Sequence, residues 1–196
     1  ATGSEPRFFP KVKPDGERII APRHTRLLKE LPKSICFVGG GVTATEYASV
    51  FAKLGSHVTI VTDLDRLLPR SDAELVYSLQ DRLEALGVDI VSNSPVASVE
   101  REGDRVSTTT RGGRVIETDY AFIATGRGPD PEAFSESSLG LETGEGGFLL
   151  TDAQQRTSRE TIFAIGDITG PPLIANKAIR QARVAVAAIN GDPEGD

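Results

Sequence analysis

The chain is 196 residues long, with 38% hydrophobic and 26% charged residues and a formal net charge of −6. That length can bury a sizeable core, and it accommodates one large domain or one domain with part of a second. The negative charge argues against nucleic-acid or anionic-membrane surfaces, which require clustered positive charge, and so favours small-molecule ligands. No apolar run approaches the roughly 20 residues of a membrane span, and residues 1–10 lack a signal-peptide pattern, so we expect a cytoplasmic protein.

The small numbers of cysteine and histidine residues exclude several kinds of site. Cys36 is the only cysteine, which excludes an internal disulfide and a cysteine-based metal cluster. Because it lies in an apolar segment, we expect a buried core thiol rather than a reactive one. Neither His24 nor His57 has a neighbour that suggests catalysis, so we predict no catalytic residue and no metal ligand. There is no methionine, even at position 1, and we expect the sequence to be a piece of a longer chain.

The most regular pattern runs from Ser34 to Asp63. The preceding residues, 1–33, contain prolines and charges with little periodicity, and we interpret them as a connecting segment with short extended pieces. From Ser34, the apolar run ICFV leads into GGG, and VTATEYASVFAKLG then has apolar residues at helical spacing before a capping glycine. Residues 57–61 alternate and are β-branched, as in a second strand. The order and length predict a βαβ unit.

Further elements are separated by glycine, proline and polar turn residues. Residues 72–86 predict a helix with leucines at 75, 79, 83 and 86 on one face, and a final helix from about 173 to 190 has its own apolar face. We place that second face at residues 175, 178, 179, 182, 186 and 189. The remaining predicted elements are a strand at 88–91, an antiparallel meander at 96–100, 105–110 and 114–117, strands at 120–124, 148–151 and 161–165, and a loop at 135–147.

The turn GGGVTA matches the pattern G-x-G-x-x-G/A, with Gly39, Gly41 and Ala44 at its three small positions. The first glycine permits the tight turn, the second lets backbone approach a pyrophosphate, and the third position needs a small residue where helix crosses strand. Phosphate charge would face the free N–H groups of the helix starting near Val42. Because the triplet follows a strand and opens a helix, we predict dinucleotide binding rather than a surface turn.

The same fingerprint expects an acidic residue about 20 positions later, where it accepts the ribose hydroxyls. Thr62 and Asp63 occupy that place, and no arginine follows until Arg66. Since Asp63 would repel a 2′-phosphate, the pattern favours NAD, with NADP as an alternative. Glu46 lies within the first two turns of the helix, where the helix dipole alone explains an acid as well as a binding role does.

Four ordered segments carry a family resemblance: VGGGVTATEYASVFAKLGSHVTIV, DRLLP, FIATGRGPD and TIFAIGDITGPPLIANKAIRQARVAV. Together they resemble the pyridine nucleotide-disulfide oxidoreductases, a family of FAD and NAD(P) enzymes, over nearly the whole chain. Within the family, DRLLPRSDAEL and GDITGPPLIANKA are most similar to dihydrolipoamide dehydrogenase, with mercuric reductase, glutathione reductase and soluble transhydrogenase as alternatives. The resemblance implies an α/β fold: a Rossmann-like NAD(P)-binding domain, with a parallel sheet and a β-meander crossover, at 26–145. A connecting segment at 1–25 and the C-terminal part of an FAD-binding domain at 146–196 flank it.

The resemblance also implies roles for particular residues. The glycine turn and Thr43 would surround the phosphates of the nicotinamide dinucleotide, Glu46 would lie near the carboxamide, and Asp63 would approach the adenine ribose. Residues 124–126 would form a second contact strip, while Gly166 and Asp167 would hold the ribityl chain of FAD and residues 173–175 would bring a helix N-terminus to the flavin. The predicted cofactor-binding residues are Gly39, Gly41, Val42, Thr43, Glu46, Thr62, Asp63, Ala124, Thr125, Gly126, Gly166, Asp167, Leu173, Ile174 and Ala175.

A parent enzyme with a C-x4-C disulfide before Ala1, a His-x4-Glu pair after Asp196 and a homodimeric assembly is implied in the same way. Its activity would be hydride transfer between NAD(H) and FAD, and we expect no disulfide-reductase turnover from this polypeptide alone. The sequence departs from the family pattern at Ala44, Thr62 and Asp130. A non-catalytic nucleotide-binding sensor is the alternative from another class, whereas a simple Rossmann dehydrogenase is disfavoured because no catalytic histidine, lysine or tyrosine pattern follows the fold.

Overall fold

The computed structural model describes residues 1–130 and 139–192. None of the helices in those two ranges is long and apolar enough to cross a membrane. The α-helices are α1 (Val42–Leu54), α2 (Ala73–Ala85) and α3 (Ala175–Ile189), and short 3₁₀ helices occupy Pro22–Leu27, Glu145–Gly147 and Gly166–Thr169. The strands are β1 (Glu5–Pro6), β2 (Ile19–Ile20), β3 (Ser34–Val38), β4 (His57–Val61), β5 (Val88–Val91), β6 (Val96–Glu102), β7 (Arg105–Thr110), β8 (Val115–Thr118), β9 (Tyr120–Ile123) and β10 (Arg127–Gly128).

The chain divides into two compact units. The sheet unit is Phe8–Gly126, and the terminal unit is Ala1–Arg7 together with Arg127–Asp196. These bounds differ from the predicted divisions at 25/26 and 145/146, and strand pairing explains the difference. β2 pairs in parallel with β9, which brings residues 8–25 into the sheet unit, and β1 pairs antiparallel with β10, which joins the two parts of the terminal unit.

The predicted α/β fold with a parallel sheet is confirmed in the sheet unit. Five parallel strands lie in the order β2-β9-β3-β4-β5, and α1 connects β3 to β4 as the βαβ pattern predicts. The first strand of that pattern, β3, therefore has β4 on one side and β9 on the other. Val38, at the end of β3, is in register with Val61 and with Ile123. The loops that leave β3, β4 and β9 consequently meet at one edge, where an open α/β sheet binds its ligand.

Both faces of the parallel sheet are covered. On one face Phe37 and Phe122, with ring centroids 4.8 Å apart, pack in one cluster with Phe51 of α1 and Leu83 of α2. On the other face β3 and β9 pack against the predicted antiparallel meander, which is confirmed as β6-β7-β8. Burial on both sides explains why the parallel strands appear as continuous apolar runs rather than alternating ones.

The predicted apolar face of α2 is shifted. Leu83 is buried, with 1% of its surface exposed, but Leu75 is 72% exposed and Val76 is buried in its place. The carboxylate of Asp72 accepts hydrogen bonds from the N–H groups of Glu74 and Leu75, so Asp72 caps the helix rather than forming its first residue. The sheet packs against positions 76, 79 and 83; the leucine spacing selected 79 and 83 but not Val76.

Two strand predictions in the terminal unit were wrong. Residues 148–151 and 161–165 form only the isolated bridges Thr143 to Leu149 and Arg156 to Phe163. The Asp152 carboxylate accepts the N–H groups of Gln154 and Arg156, and this turn interrupts the extension of either bridge into a ladder. The predicted loop at 135–147 lies partly outside the described residues.

The final helix was predicted in the right place but with the wrong buried face. It spans Ala175–Ile189, and its buried residues are Ala185 and Ala188. Ile179, Val186 and Ile189 are all more than half exposed. Ala185 and Ala188 therefore make the closest packing of α3 within the described part of the terminal unit, whereas Val184 is only half-buried and the three larger residues named above face outward.

Candidate nucleotide-binding sites

The glycine turn after β3 is in contact with the loop after β9. Gly39 has φ of +118°, which L side chains rarely adopt, and a Cβ there would lie 2.3 Å from the carbonyl oxygen of Ala124. The Gly39 N–H donates to the Val61 carbonyl at 2.8 Å, and the Ala124 N–H donates to the Val38 carbonyl at 2.9 Å. The structure thus brings together two segments, 39–41 and 124–126, that the sequence separates by more than 80 positions.

The middle glycine, Gly40, has a steric role that the sequence pattern did not reveal. A Cβ on Gly40 would lie 2.7 Å from Oγ1 of Thr62. Thr62 is 1% exposed, and its Oγ1 accepts a hydrogen bond from the Leu64 N–H at 3.2 Å. Thr62 therefore fills the space beneath the turn, while Asp63, the next residue, is exposed. Because the G-x-G pattern allows any residue at its second position, the only sequence feature that could have revealed this role of Gly40 was the unbroken glycine triplet.

The third glycine opens α1 towards empty space. Gly41 is the N-cap of α1, with extended backbone and no side-chain capping bond, and the first turn of the helix carries no acidic residue. Apart from the adjoining residues of its own chain segment, no described residue has an atom within 4 Å of a Cβ built on Gly41. Ala44, at the third small position, is fully buried. Uncapped N–H groups beside open space fit a phosphate group, whose charge the helix N-terminus favours.

The charged side chains near this edge of the sheet differ in their hydrogen bonding. Glu46 on α1 and Asp63 after β4 are both exposed. Arg66, the nearest arginine in sequence, donates from Nη2 to the carbonyls of Pro69 and Ser71 at 3.1 and 3.4 Å. Its guanidinium is therefore bound to its own loop. Of the other predicted positions, Val42 and Gly126 are exposed, and Thr43 and Thr125 are half-buried.

In the terminal unit, the carboxylate of Asp167 is anchored by residues from two distant segments. The Ser4 hydroxyl donates to Oδ2 of Asp167 at 2.6 Å. Arg127 in turn donates from Nε to the Ser4 hydroxyl oxygen at 2.9 Å and from Nη2 to the Ser4 carbonyl. Sequence reasoning singled out Asp167 but missed Ser4 and Arg127. Arg127 directly follows Gly126 in the FIATGRGPD segment, which was the available signal for it.

Hydrogen bonds from α3 and from its own turn fix the backbone beside Asp167. Gly166 has φ of +78°, and its N–H donates to Oε1 of Gln181 at 2.7 Å. The Thr169 hydroxyl donates to the Gly166 carbonyl at 2.9 Å. Lys177 Nζ donates to the Gly170 carbonyl and to the Thr169 hydroxyl. Partial burial lowers the pKa of Lys177, and the charge of Asp167 opposes that shift.

The start of α3 resembles that of α1 in lacking a cap. Ile174 is the N-cap residue and makes no side-chain capping bond, and the first turn contains no acidic residue. Leu173 is half-buried, whereas Ile174 and Ala175 are exposed. The N-terminus of α3 can therefore receive electron-rich groups, and the anchored Asp167 carboxylate supplies an acceptor for hydroxyl groups in the same unit.

The single thiol and the histidines lie apart from both sites. Cys36 is fully buried, and burial raises the pKa of its thiol to about 12 although the Thr108 side chain opposes the shift. The His24 Nδ1 accepts the Ala21 N–H at 2.9 Å, and His57 lies 3.4 Å from Asp89 on the surface. In the part of the chain that the structure describes, no three His, Cys, Asp or Glu residues are grouped to hold a metal ion.

Comparisons with known proteins identify the family of the chain. A family model described as pyridine nucleotide-disulphide oxidoreductase matches residues 1–188. The chain is 36% identical over 197 residues to dihydrolipoyl dehydrogenase 2 of Haloarcula marismortui, covering 98% of this chain and 42% of that protein. It is also 36% identical over 186 residues to an NAD(P)H dehydrogenase (quinone) of Mycobacterium tuberculosis, covering 95% and 38%.

Solved structures of two proteins have a fold similar to that of this chain. The chain is similar to LpdA from Mycobacterium tuberculosis, with a TM-score of 0.92 and 35% identity over 97% of this chain and 42% of that one. It is also similar to the HOCl-induced flavoprotein disulfide reductase RclA from Escherichia coli, with a TM-score of 0.88 and 27% identity over 100% and 45%. The sequence thus spans about two fifths of the length of the curated relatives it matches.

Proposed function

Because the chain belongs to the pyridine nucleotide-disulphide oxidoreductase family, whose cofactors are FAD and NAD(P), we propose that it supplies the nicotinamide-dinucleotide site and part of the FAD site of a flavoprotein oxidoreductase. The parent activity we propose is hydride transfer between NAD(H) and FAD in an enzyme similar to dihydrolipoyl dehydrogenase, the name that several of the curated relatives carry. The cytoplasmic location expected from the sequence and the homodimeric parent implied by the resemblance stay proposals.

The main support for the dinucleotide site is that the loops after β3, β4 and β9 meet at the N-terminus of α1, which has no side-chain cap. Gly39 touches Ala124, Gly40 rests on Thr62, and the space in front of Gly41 is open. In this proposal the N–H groups of Val42 and Thr43 bind the pyrophosphate, because a helix N-terminus presents unpaired donors and partial positive charge. When bound, the dinucleotide supplies the hydride. The residues of the chain orient it, with Glu46 and the loop 124–126 on either side.

The charges at the edge of the sheet support NAD over NADP. Asp63 is exposed directly after β4, where its carboxylate can accept the ribose hydroxyls. A 2′-phosphate would meet this negative charge, and the Arg66 guanidinium is hydrogen-bonded to its own loop. Thr62, which was predicted to contact the cofactor, is buried, so we propose that it acts by supporting the turn and orienting Asp63 through the Leu64 N–H.

In the terminal unit we propose that Gly166, Asp167 and the N-terminus of α3 form the FAD-binding portion. The carboxylate of Asp167 is a strong acceptor for sugar hydroxyls, and residues 173–175 present the positive end of a helix to an electron-rich ring. When bound, FAD supplies the hydride acceptor. The sequence contains one cysteine, and that cysteine is buried, so this polypeptide has no redox-active cysteine pair of its own.

Titration of the purified chain with NADH and NADPH, followed by nucleotide fluorescence, tests the first site. We expect NADH to bind more tightly, and Asp63→Ala to weaken NADH by roughly 10- to 100-fold, since a hydrogen bond to a charged group contributes about 1.5–3 kcal/mol. Asp65→Ala is the matched control, because Asp65 is also exposed and lies two positions away. Failure of both nucleotides to bind would refute the proposed dinucleotide site, and tighter binding of NADPH would refute only the preference for NAD.

A further inference from the structure

A chain of hydrogen bonds in the terminal unit joins Arg127, Ser4 and Asp167. The partners are far apart in sequence, 123 residues for Arg127 with Ser4 and 163 residues for Ser4 with Asp167. Ser4 is buried, and Arg127 holds it twice, through the hydroxyl oxygen and through the main-chain carbonyl. The fold therefore fixes Ser4 from both its side chain and its backbone.

The chemistry of the donors fixes the direction of this chain. An arginine guanidinium only donates hydrogen bonds, so the Ser4 hydroxyl oxygen is the acceptor from Arg127. The single hydroxyl proton of Ser4 is then left for Asp167, which accepts it at 2.6 Å. Donation from the arginine polarises the serine hydroxyl, which strengthens its bond to the carboxylate. Arg127 thus acts on Asp167 through Ser4.

The consequence is a carboxylate with one oxygen bound and one oxygen left to accept. Ser4 binds Oδ2 of Asp167, and among the described residues no hydrogen bond reaches Oδ1. The preceding residue, Gly166, is fixed independently by Gln181 and Thr169. With backbone and side chain both held, a hydroxyl-bearing ligand meets an acceptor already in place, and the ordering cost of binding is reduced.

We propose that Ser4 and Arg127 are positioning residues, which hold the Asp167 carboxylate so that Oδ1 receives the hydroxyl groups of a polyol chain. The polyol in question is the ribityl chain of FAD, so this inference rests on the proposed function of the terminal unit. Neither residue needs to touch the ligand. Their effect on affinity passes through Asp167, and ordering one side chain in advance is worth up to roughly tenfold in binding.

The free protein offers a first test that does not require any ligand. In nitrogen-15 NMR spectra we expect the Arg127 Nε–H signal to exchange slowly with solvent in the wild type and quickly in Ser4→Ala. Asp167→Ala should also speed the exchange, because the serine hydroxyl then loses the acceptor that orients it. An Arg127 signal insensitive to Asp167→Ala would overturn the three-residue chain, since Ser4 and Arg127 would then be an independent structural pair.

Equilibrium binding of FAD to the full chain, measured by quenching of flavin fluorescence, is the second test. Ser4→Ala should weaken FAD five- to tenfold, Ser4→Thr should restore it, and Ser4→Ala should have no further effect in an Asp167→Ala background. Ser158→Ala is the matched control, because the Ser158 hydroxyl accepts a hydrogen bond from Glu142 elsewhere in the same unit. Melting temperatures of all variants separate loss of affinity from loss of folding.

The outcomes separate this inference from the function on which it rests. If the wild type binds FAD and Ser4→Ala binds equally well, the positioning role is wrong and the FAD site stands. If Ser4→Ala weakens FAD to the same extent with and without Asp167, Ser4 acts on the ligand by another route and the inference fails. If the wild type does not bind FAD at all, the proposed FAD site fails and the inference fails with it.

Discussion

Replacing each outer glycine of the GGG turn by alanine separates the folding role of this turn from its binding role. At Gly39 a methyl group would lie 2.3 Å from the Ala124 carbonyl oxygen, and the backbone φ of +118° is strained for any L residue. At Gly41 the backbone φ is −83°, and beyond the adjoining residues no described atom lies within 4 Å of the added carbon. The same substitution therefore meets main chain at one position and open space at the other.

The expected energies differ accordingly. For Gly39→Ala, overpacking against main chain costs about 1–3 kcal/mol and the positive φ about 1–2 kcal/mol more, so we expect roughly 3 kcal/mol of destabilisation. For Gly41→Ala the cost is that of alanine at a helix N-cap, under about 1 kcal/mol. In the proposed dinucleotide site, however, the Gly41 methyl group would occupy the space of the pyrophosphate. We expect at least about a tenfold loss of NADH affinity, or 1.4 kcal/mol.

Thermal unfolding and NADH titration of both variants provide the assay. At about 2–4 °C per kcal/mol for a chain of this size, Gly39→Ala should lower the melting temperature by roughly 6–12 °C. Gly41→Ala should melt close to the wild type and bind NADH poorly. The reasoning is refuted if Gly39→Ala melts like the wild type, or if Gly41→Ala keeps full NADH affinity while folding normally.

Three further predictions concern the sheet unit. Burial raises the pKa of the Cys36 thiol from 9.0 to about 12, so the unfolded chain releases a proton above pH 9 that the folded chain keeps. Stability should fall by on the order of 1 kcal/mol per pH unit above 9 in urea unfolding, and a Cys36→Ala variant with the same slope would contradict this. Burial favours the neutral acid of Asp119, but hydrogen bonds from Ser34 and Arg105 outweigh it and lower its pKa. Asp119→Asn should therefore cost about 1–2 kcal/mol at pH 7 and progressively less as the pH falls below 3.8; a pH-independent cost would argue against this ionic role. Leu83→Ala should lower the free energy of unfolding by about 2–5 kcal/mol in chemical unfolding, and Leu75→Ala by under about 0.5 kcal/mol. Equal losses would contradict the packing of Leu83, rather than Leu75, against the sheet.

Much of the sheet unit could be predicted because its signals are local. Apolar periodicity and the glycine triplet located β3, α1 and β4, and short alternating segments located the meander. The phase of α2 was harder, since Leu75 and Val76 are both apolar and only contact with the sheet selects Val76. In the terminal unit, residues 148–151 and 161–165 resemble strands in composition, yet turns such as that at Asp152 leave them as single bridges.

The sequence by itself determined the strand-turn-helix-strand order, the small residues of the turn, and the presence of carboxylates at Asp63 and Asp167. Those features depend on residue type and on spacing within about thirty positions. Only the tertiary structure decided that Gly39 touches Ala124, that Gly40 rests on a buried Thr62, and that Ser4 and Arg127 anchor Asp167. Strand order and register set the first two contacts, and the packing of the terminal unit sets the third, because both bring together segments that no local pattern connects.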